Sequence, residues 1–329
     1  MIGKIYDMII EKNEELKTQI YDIEKYLKEK IGDNLSNNWI EYSPKGSYKK
    51  FVAIDGGLFA RSMRIGIVYA IDSEAVLGDR EKVEVIADDG RFGIFKPGNN
   101  AKERINLLMQ GLELKLALES GNLGDYILLD GSLDTKLGER VNIVDLSREE
   151  FSLVKNFDID GIIAIKNEEK MSKLLRLLNQ SLLSQVLGQY GNKVLFISKN
   201  SRTRDIFDTD YSDITVLELF TQSSGYTKPK IKNISYNLES LRELVYSSFY
   251  VRLEKGHKVL KIDVIGSIDD NTIKEIMDSL AEVSVKGYPF PLLKAHMDVR
   301  ISNADRKRII QMVGGKLHKD IEWWPSQFF

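Results

Sequence analysis

The chain has 329 residues, 43% hydrophobic and 29% charged, with a formal net charge of −2 and no cysteine. The apolar share supplies a full core, and the length admits one large domain or two ordinary ones. Disulfides and cysteine-ligated zinc are excluded, and the near-neutral balance excludes a protein that coats nucleic acid by charge alone, though a local basic groove stays open to it.

The N-terminal segment, to about residue 32, reads as one amphipathic helix. Ile2, Ile5, Ile9, Leu16, Ile20, Ile23 and Leu27 recur at helical steps, with Lys12 filling a gap. Such a helix packs on its own domain or docks on a second subunit or partner. The turn formers of GDNLSNN (Gly32 to Asn38) end it. Its charge is unlike a signal peptide, and no stretch nears about 18 uninterrupted apolar residues, so a soluble, cytoplasmic protein without a membrane span is expected.

Strands follow at FVAID (Phe51 to Asp55), RIGIVYAID (Arg64 to Asp72) and KVEVIAD (Lys82 to Asp88). Their short connections predict antiparallel neighbours. A helix from Ala101 to Ser120 shows an apolar stripe of Ile105, Leu108, Leu112 and Leu116, and DYILLDGS (Asp125 to Ser132) is a buried strand ending at an acid. In the second half, IDGIIAIK (Ile159 to Lys166) reads as a strand. A long helix with an asparagine cap follows, then the strand KVLFISK (Lys193 to Lys199). A hairpin turns at Lys255-Gly256, a helix covers SIDDNTIKEIMDSLAEVS, and DVRIS (Asp298 to Ser302) reads as a strand before a last helix ending at Gly314-Gly315. The interleaving makes the class α/β.

Phosphodiester cleavage with a divalent metal needs clustered acidic oxygens, and two ions about 4 Å apart can activate water and stabilise the leaving oxygen. Asp55 is read as the end of its strand and is followed by Gly56-Gly57, which permit a close approach. Asp130 ends YILL and precedes Gly131. Glu113 sits beside the helical apolar stripe, where a carboxylate needs compensation such as a metal. Taken alone, an Asp-Gly pair is an ordinary turn and a rim glutamate is ordinarily exposed. Periodicity does not separate Glu113 from Glu119, and Asp72 is a further acid at a strand end. His296, one of only three histidines, lies in KGYPFPLLKAHMDVRIS with Tyr288; it can ligate a metal, contact phosphate or protonate a leaving group, or be structural. Basic clusters occur at Lys199, Arg202 and Arg204, at Lys228, Lys230 and Lys232, and at Arg300, Arg306, Lys307 and Arg308. Each taken singly reads as a solvated face.

In motif set and order the chain resembles the NurA nucleases of archaea and some bacteria. The resemblance rests on Asp55 with its two glycines, Glu113, Asp130 in DGS, and Tyr288 and His296 eight positions apart, spanning Phe51 to Ser302. Its spacing prefers Glu113 over Glu119. It implies an RNase H-like core with a mixed β-sheet flanked by helices, in a domain over residues 45–329, with residues 1–36 as a helical contact arm. It implies a manganese- or magnesium-dependent nuclease with 5′ to 3′ exonuclease and single-strand endonuclease activity in DNA end resection. The metal ligands are then Asp55, Glu113, Asp130 and His296, with Tyr288 orienting substrate or water and Lys199, Arg202 and Arg204 gripping DNA. A homodimer and a partnership with the hexameric HerA ATPase are also implied, and the aromatic tail Trp323 to Phe329 is an interface or packs on its own domain. Two other readings stand beside it. An actin-like phosphotransferase also uses an Asp-Gly turn, but no second glycine-rich phosphate loop is evident. A non-catalytic adaptor of a DNA-translocating ATPase would not need all three acids.

Overall fold

The computed structural model of the chain describes residues 2–314 apart from 64–65, 97, 99, 237–240 and 242. The tail Trp323 to Phe329 and Gly315 therefore lie outside the described residues. The chain opens with α1 (Ile2–Ile31), the short α2 (Asn34–Asn38) and β1 (Trp39–Glu41). Three long strands come next, β2 (Phe51–Met63), β3 (Gly66–Gly78) and β4 (Val83–Phe95), and they pair antiparallel, as their short connections require. Parallel pairing needs a crossover. Helix α3 (Ala101–Ser120) supplies it, delivering the chain to β5 (Tyr126–Asp130) alongside β2. Helices α4 (Leu133–Leu137), α5 (Arg148–Lys155), α6 (Ile159–Ile163) and α7 (Glu168–Tyr190) form the next crossover, to β6 (Val194–Ser198), parallel to β5.

Helix α8 (Asp213–Phe220) leads to the strands β7 (Gly225–Thr227), β8 (Lys230–Ile234), β9 (Leu244–Arg252) and β10 (Leu260–Ile265). After α9 (Asp270–Glu282), the strands β11 (Ser284–Val285) and β12 (Tyr288–Pro289) pair with each other, and α10 (Phe290–Asp298) and α11 (Asn303–Gly314) follow. The main sheet runs β1-β7-β9-β10-β6-β5-β2-β3-β4, with β8 paired to β9. Its parallel centre, β6-β5-β2, is bordered by antiparallel strands on both sides. The molecule is therefore a mixed α/β fold with one large sheet flanked by helices.

Period-two alternation decides which helix each residue of β2 meets. Val52 and Ile54 enter the core built with α3 and α7. Phe51 and Ala53 enter the opposite core, built with α9 and α10 through Ile276, Leu280 and Leu292. The next residue on that second face is Asp55. On β5 the same alternation sends Leu128 to the second face and Leu129 to the first, which turns Asp130 toward the side of Asp55.

Four sequence expectations fail for identifiable reasons. Asp55 does not end its strand: β2 runs on through Gly56-Gly57 to Met63, because these glycines continue an extended ladder instead of turning. Asp72 is likewise interior to β3. IDGIIAIK forms no strand; its first five residues are the helix α6, capped by Asp158, whose side chain accepts a hydrogen bond from the Gly161 N–H at 2.8 Å. A short apolar run fits a helix or a strand equally by periodicity, and the cap decides. DVRIS forms no strand; α10 ends at Asp298 and α11 begins at Asn303, so His296 stands in the last turn of a helix.

Candidate metal centre

The acids sit in a dry setting. Asp55 is 5% exposed and Glu113 2%. Carboxylates buried to that degree need a compensating partner. For Asp55 the first partner is His296, whose Nδ1 donates to Asp55 Oδ2 at 2.7 Å across 241 positions of chain. The second is the Gly56 N–H, which donates to Asp55 Oδ1 at 2.9 Å. These contacts do not balance the site. Burial pushes the Asp55 carboxyl above its usual range, the neighbouring charge of Asp130 adds to the rise, and His296 and Gly56 pull it back only in part.

Donor atoms of Asp55, Asp130 and His296 all lie within 4.8 Å of one another. The two carboxylates supply hard oxygens suited to manganese or magnesium, and the imidazole adds a borderline nitrogen that manganese accepts more readily than magnesium. A cation there would also relieve the Asp55–Asp130 repulsion, so the residues fit a divalent metal.

The two glycines after Asp55 explain how the helices come so close. Gly56 faces the α3 side, where an added Cβ would stand 2.7 Å from both Glu113 Oε1 and Met109 Cγ. Gly57 faces the α10 side, where a Cβ would overlap the carbonyl oxygen of Val299. Their φ angles are ordinary, so space alone demands glycine.

Glu113 approaches from the opposite face of the sheet to His296 and is outside the three-residue donor set. Its carboxylate forms a buried ion pair with Lys136 of α4, the two side chains being 3% and 6% exposed. Burial pushes the Glu113 carboxyl up, and the Lys136 ammonium opposes that rise. Removing one partner of such a pair typically costs about 3–5 kcal/mol. Sequence reasoning missed Lys136. The available signal was its spacing, three residues after the buried Leu133 and next to the buried Leu137. Glu119 is exposed and lies away from these groups. Asp72 is half-buried and raised first by burial and then by Asp88, which places it in a different acidic neighbourhood.

Tyr288 stands beside the acids. Its hydroxyl is buried with no hydrogen-bond partner among the described residues, and burial followed by the charges of Asp130 and Asp55 keeps it protonated. The Lys199 ammonium lies 5.7 Å from the centre of the Tyr288 ring. Lys199 and Arg202 line an open cleft of about 570 Å³ together with Asp130, Gly131 and Ser132. Arg204 is exposed and does not line that cleft. Of the Lys228 cluster, Lys232 is paired with Asp205 at 2.5 Å.

A mixed sheet with acids on two adjacent parallel strands, met by a helical histidine, defines an α/β protein with a donor set that could hold a divalent cation. The NurA domain family model matches residues 49–301. The chain is 55% identical over 339 residues to the DNA double-strand break repair nuclease NurA of Saccharolobus solfataricus, covering 100% of both chains. The crystal structure of the NurA nuclease from Sulfolobus solfataricus superposes with a TM-score of 0.91 at 56% identity, covering 99% of this chain and 100% of that one. A crystal structure of NurA bound to dAMP and manganese shares the fold, with a TM-score of 0.66 at 14% identity over 94% of this chain and 98% of that one. The chain belongs to the NurA family. Among its described residues, no helix is long and apolar enough to cross a membrane.

Proposed function

We propose that this chain is a metal-dependent DNA nuclease that processes DNA ends in double-strand break repair, using manganese or magnesium held by Asp55, Asp130 and His296. The convergence of these donors from β2, β5 and α10 within 4.8 Å carries the reading. A divalent ion bound there supplies Lewis-acid polarisation of a phosphate and a more acidic water. The chain's residues do the remaining work. Asp55 and Asp130 present hard oxygens, and α10 holds His296 against Asp55. The unpaired hydroxyl of Tyr288 is free to donate to a phosphate oxygen or orient a water. Lys199 and Arg202 face the cleft beside Asp130, where they grip the phosphate backbone.

Several finer assignments belong to this reading. The antiparallel β2-β3-β4, the crossing α3 and the parallel β5, with acids on β2 and β5, support an RNase H-like core. The two-ion form of the reaction assigns Glu113 to a second ion, which requires Lys136 to release it. The activity is 5′ to 3′ exonuclease and single-strand endonuclease cleavage in the cytoplasm, by a homodimer working with a hexameric HerA-type ATPase. Residues 1–36 form a contact arm on the domain over residues 45–329. Ile5, Ile9, Leu16 and Ile20 on α1 are exposed, whereas Leu27 and Ile31 are buried against Trp39 and Phe207, which leaves an apolar stripe for a partner.

The test is cleavage of 5′- and 3′-labelled DNA with manganese, magnesium or EDTA, by the wild type and Asp55→Ala. Cleavage should require the metal and vanish in the variant while the fold persists. An Asp55→Ala protein that retains most of its manganese-dependent cleavage sinks the assignment.

A further inference from the structure

We propose that the free edge of β2 beyond Asp55 is a second DNA-phosphate site, where Lys102 and Arg306 hold a stretch of strand that the Lys199 and Arg202 cleft does not reach. This rests on the nuclease reading above and deepens it.

The first support is the edge itself. β3 pairs with β2 from Phe51 to Met63, but β5 pairs with β2 only from Phe51 to Ile54. From Asp55 to Met63, β2 therefore has a strand partner on one side alone among the described residues. An uncovered edge presents backbone N–H and C=O groups to whatever lies beside it. A pocket of about 370 Å³ opens there, lined by Leu58, Phe59, Ala60, Lys102, Asn106 and Arg306 among others. Leu58 and Ala60 face the α3 side of the sheet, and Phe59 packs on the α11 side with Met63 and Ile310. Residues from both faces meet in one pocket only around an edge.

The second support is the path. Met109 of α3 packs on Gly56, next to Asp55, since a Cβ on that glycine would stand 2.7 Å from Met109 Cγ. Asn106 and Lys102 follow at helical steps back along the same side of α3. One side of the helix thus leads from the metal centre to the pocket. Phe59 is about 13 Å beyond Asp55 along the strand, roughly the rise of four stacked nucleotides. The other cleft begins at Asp130 and leads away over the ends of β5 and β6, so the metal centre joins the two.

The third support is charge. Among the described residues, Lys102 and Arg306 form no ion pair, because the neighbouring acids are engaged elsewhere. Glu103 binds Arg176, and Asp305 accepts from the Ser302 hydroxyl at 2.5 Å. Arg306 is steadied at the edge: its Nε donates to the Ile301 carbonyl at 3.1 Å, and its guanidinium lies 5.7 Å from the centre of the Phe59 ring. Two unneutralised cations beside open backbone groups favour a polyanion over a protein strand, the other occupant that a free edge recruits.

Fluorescence anisotropy of a labelled single strand on the full chain, in EDTA over a salt series, tests this. The double variant Lys102→Ala/Arg306→Ala should bind about tenfold more weakly and lower the salt slope by roughly 1–2. The charge-keeping pair Lys102→Arg/Arg306→Lys should bind like the wild type. Both side chains are exposed, so the melting temperature should hold, and manganese binding followed by calorimetry should be unchanged. In the manganese-dependent cleavage assay, an uncharged methylphosphonate about four nucleotides from the cut should slow the wild type and cost the double variant nothing further. A double variant that binds and cleaves like the wild type, with the same salt slope, overturns the proposal, leaves the nuclease reading intact and opens the edge to a protein strand. A variant that loses manganese together with DNA also overturns it, since the effect then runs through the metal centre. A wild type that neither binds nor cuts DNA overturns both readings.

Discussion

The carbonyl oxygen of Val299 fills the space that a Cβ on Gly57 would need. The C-cap of α10 therefore rests on bare backbone of β2, two residues after Asp55, and His296 stands in the last turn of the same helix. Gly57→Ala should push α10 outward and separate His296 from Asp55. The expected result is a loss of roughly 1–3 kcal/mol in stability, as for overpacking at a tight site, together with weaker manganese binding. Chemical denaturation and calorimetry check both. Wild-type values in each would mean that the helix does not depend on this glycine.

A second carboxyl pair lies beside the site. Burial and then the Asp298 carboxyl push Glu74 up to about 7 from 4.5, with Lys294 pulling the other way. Below about 4.5 both folded and unfolded chains hold the proton, and Glu74 contributes nothing to pH dependence. Between 4.5 and about 7 the unfolded chain releases it while the folded chain keeps it, so stability falls as pH rises and is lowest above 7. Because Glu74 is only partly buried, solvent screening makes the effect smaller than the shift suggests. In EDTA, Glu74→Gln should melt higher than wild type at alkaline pH and match it at the acidic end. Equal melting temperatures across the range would contradict the pairing.

Tyr288 separates packing from chemistry. Its hydroxyl has no partner among the described residues, so Tyr288→Phe should leave stability unchanged or raise it by up to about 1 kcal/mol. Cleavage should fall on the order of tenfold to a hundredfold if that hydroxyl serves the reacting phosphate or water. A thermal melt beside a cleavage time course decides this, and full activity in the Phe variant would remove Tyr288 from the site.

The basic cluster divides in two. Arg202 lines the cleft with Asp130, and Arg204 does not. Arg202→Ala should weaken binding to single-stranded DNA and lower the salt slope by about 1, whereas Arg204→Ala should be silent. Fluorescence anisotropy across a salt series, with EDTA present, gives both numbers. Equal losses from the two variants would show that DNA takes a different path.

The sheet's centre was readable because β2, β3 and β5 carry short apolar, β-prone runs, β4 alternates, and α3 carries an apolar stripe. Asp55 and Asp130 were found because each closes an apolar run before glycine. What stayed hidden has physical causes. Gly56-Gly57 has the composition of a turn, yet the close approaches of Glu113 and Val299 made glycine necessary inside a continuous strand. Ile159–Ile163 is too short for periodicity to separate helix from strand, and only the Asp158 cap distinguishes it. The placement of His296 depended on where α10 stops. Lys136 lies on a helix of 5 residues, and its burial follows from the tertiary anchoring of α4 instead of from any pattern along the chain.

Asp55 and His296 meet across 241 positions. During synthesis the two aspartates leave the ribosome early, and the imidazole that joins them arrives only with α10. A growing chain thus carries an acidic cluster with no imidazole to complete it, and the full donor set first exists once everything through α10 has been made and docked. Premature termination before that helix leaves a protein with most of its sheet and an unfinished metal centre.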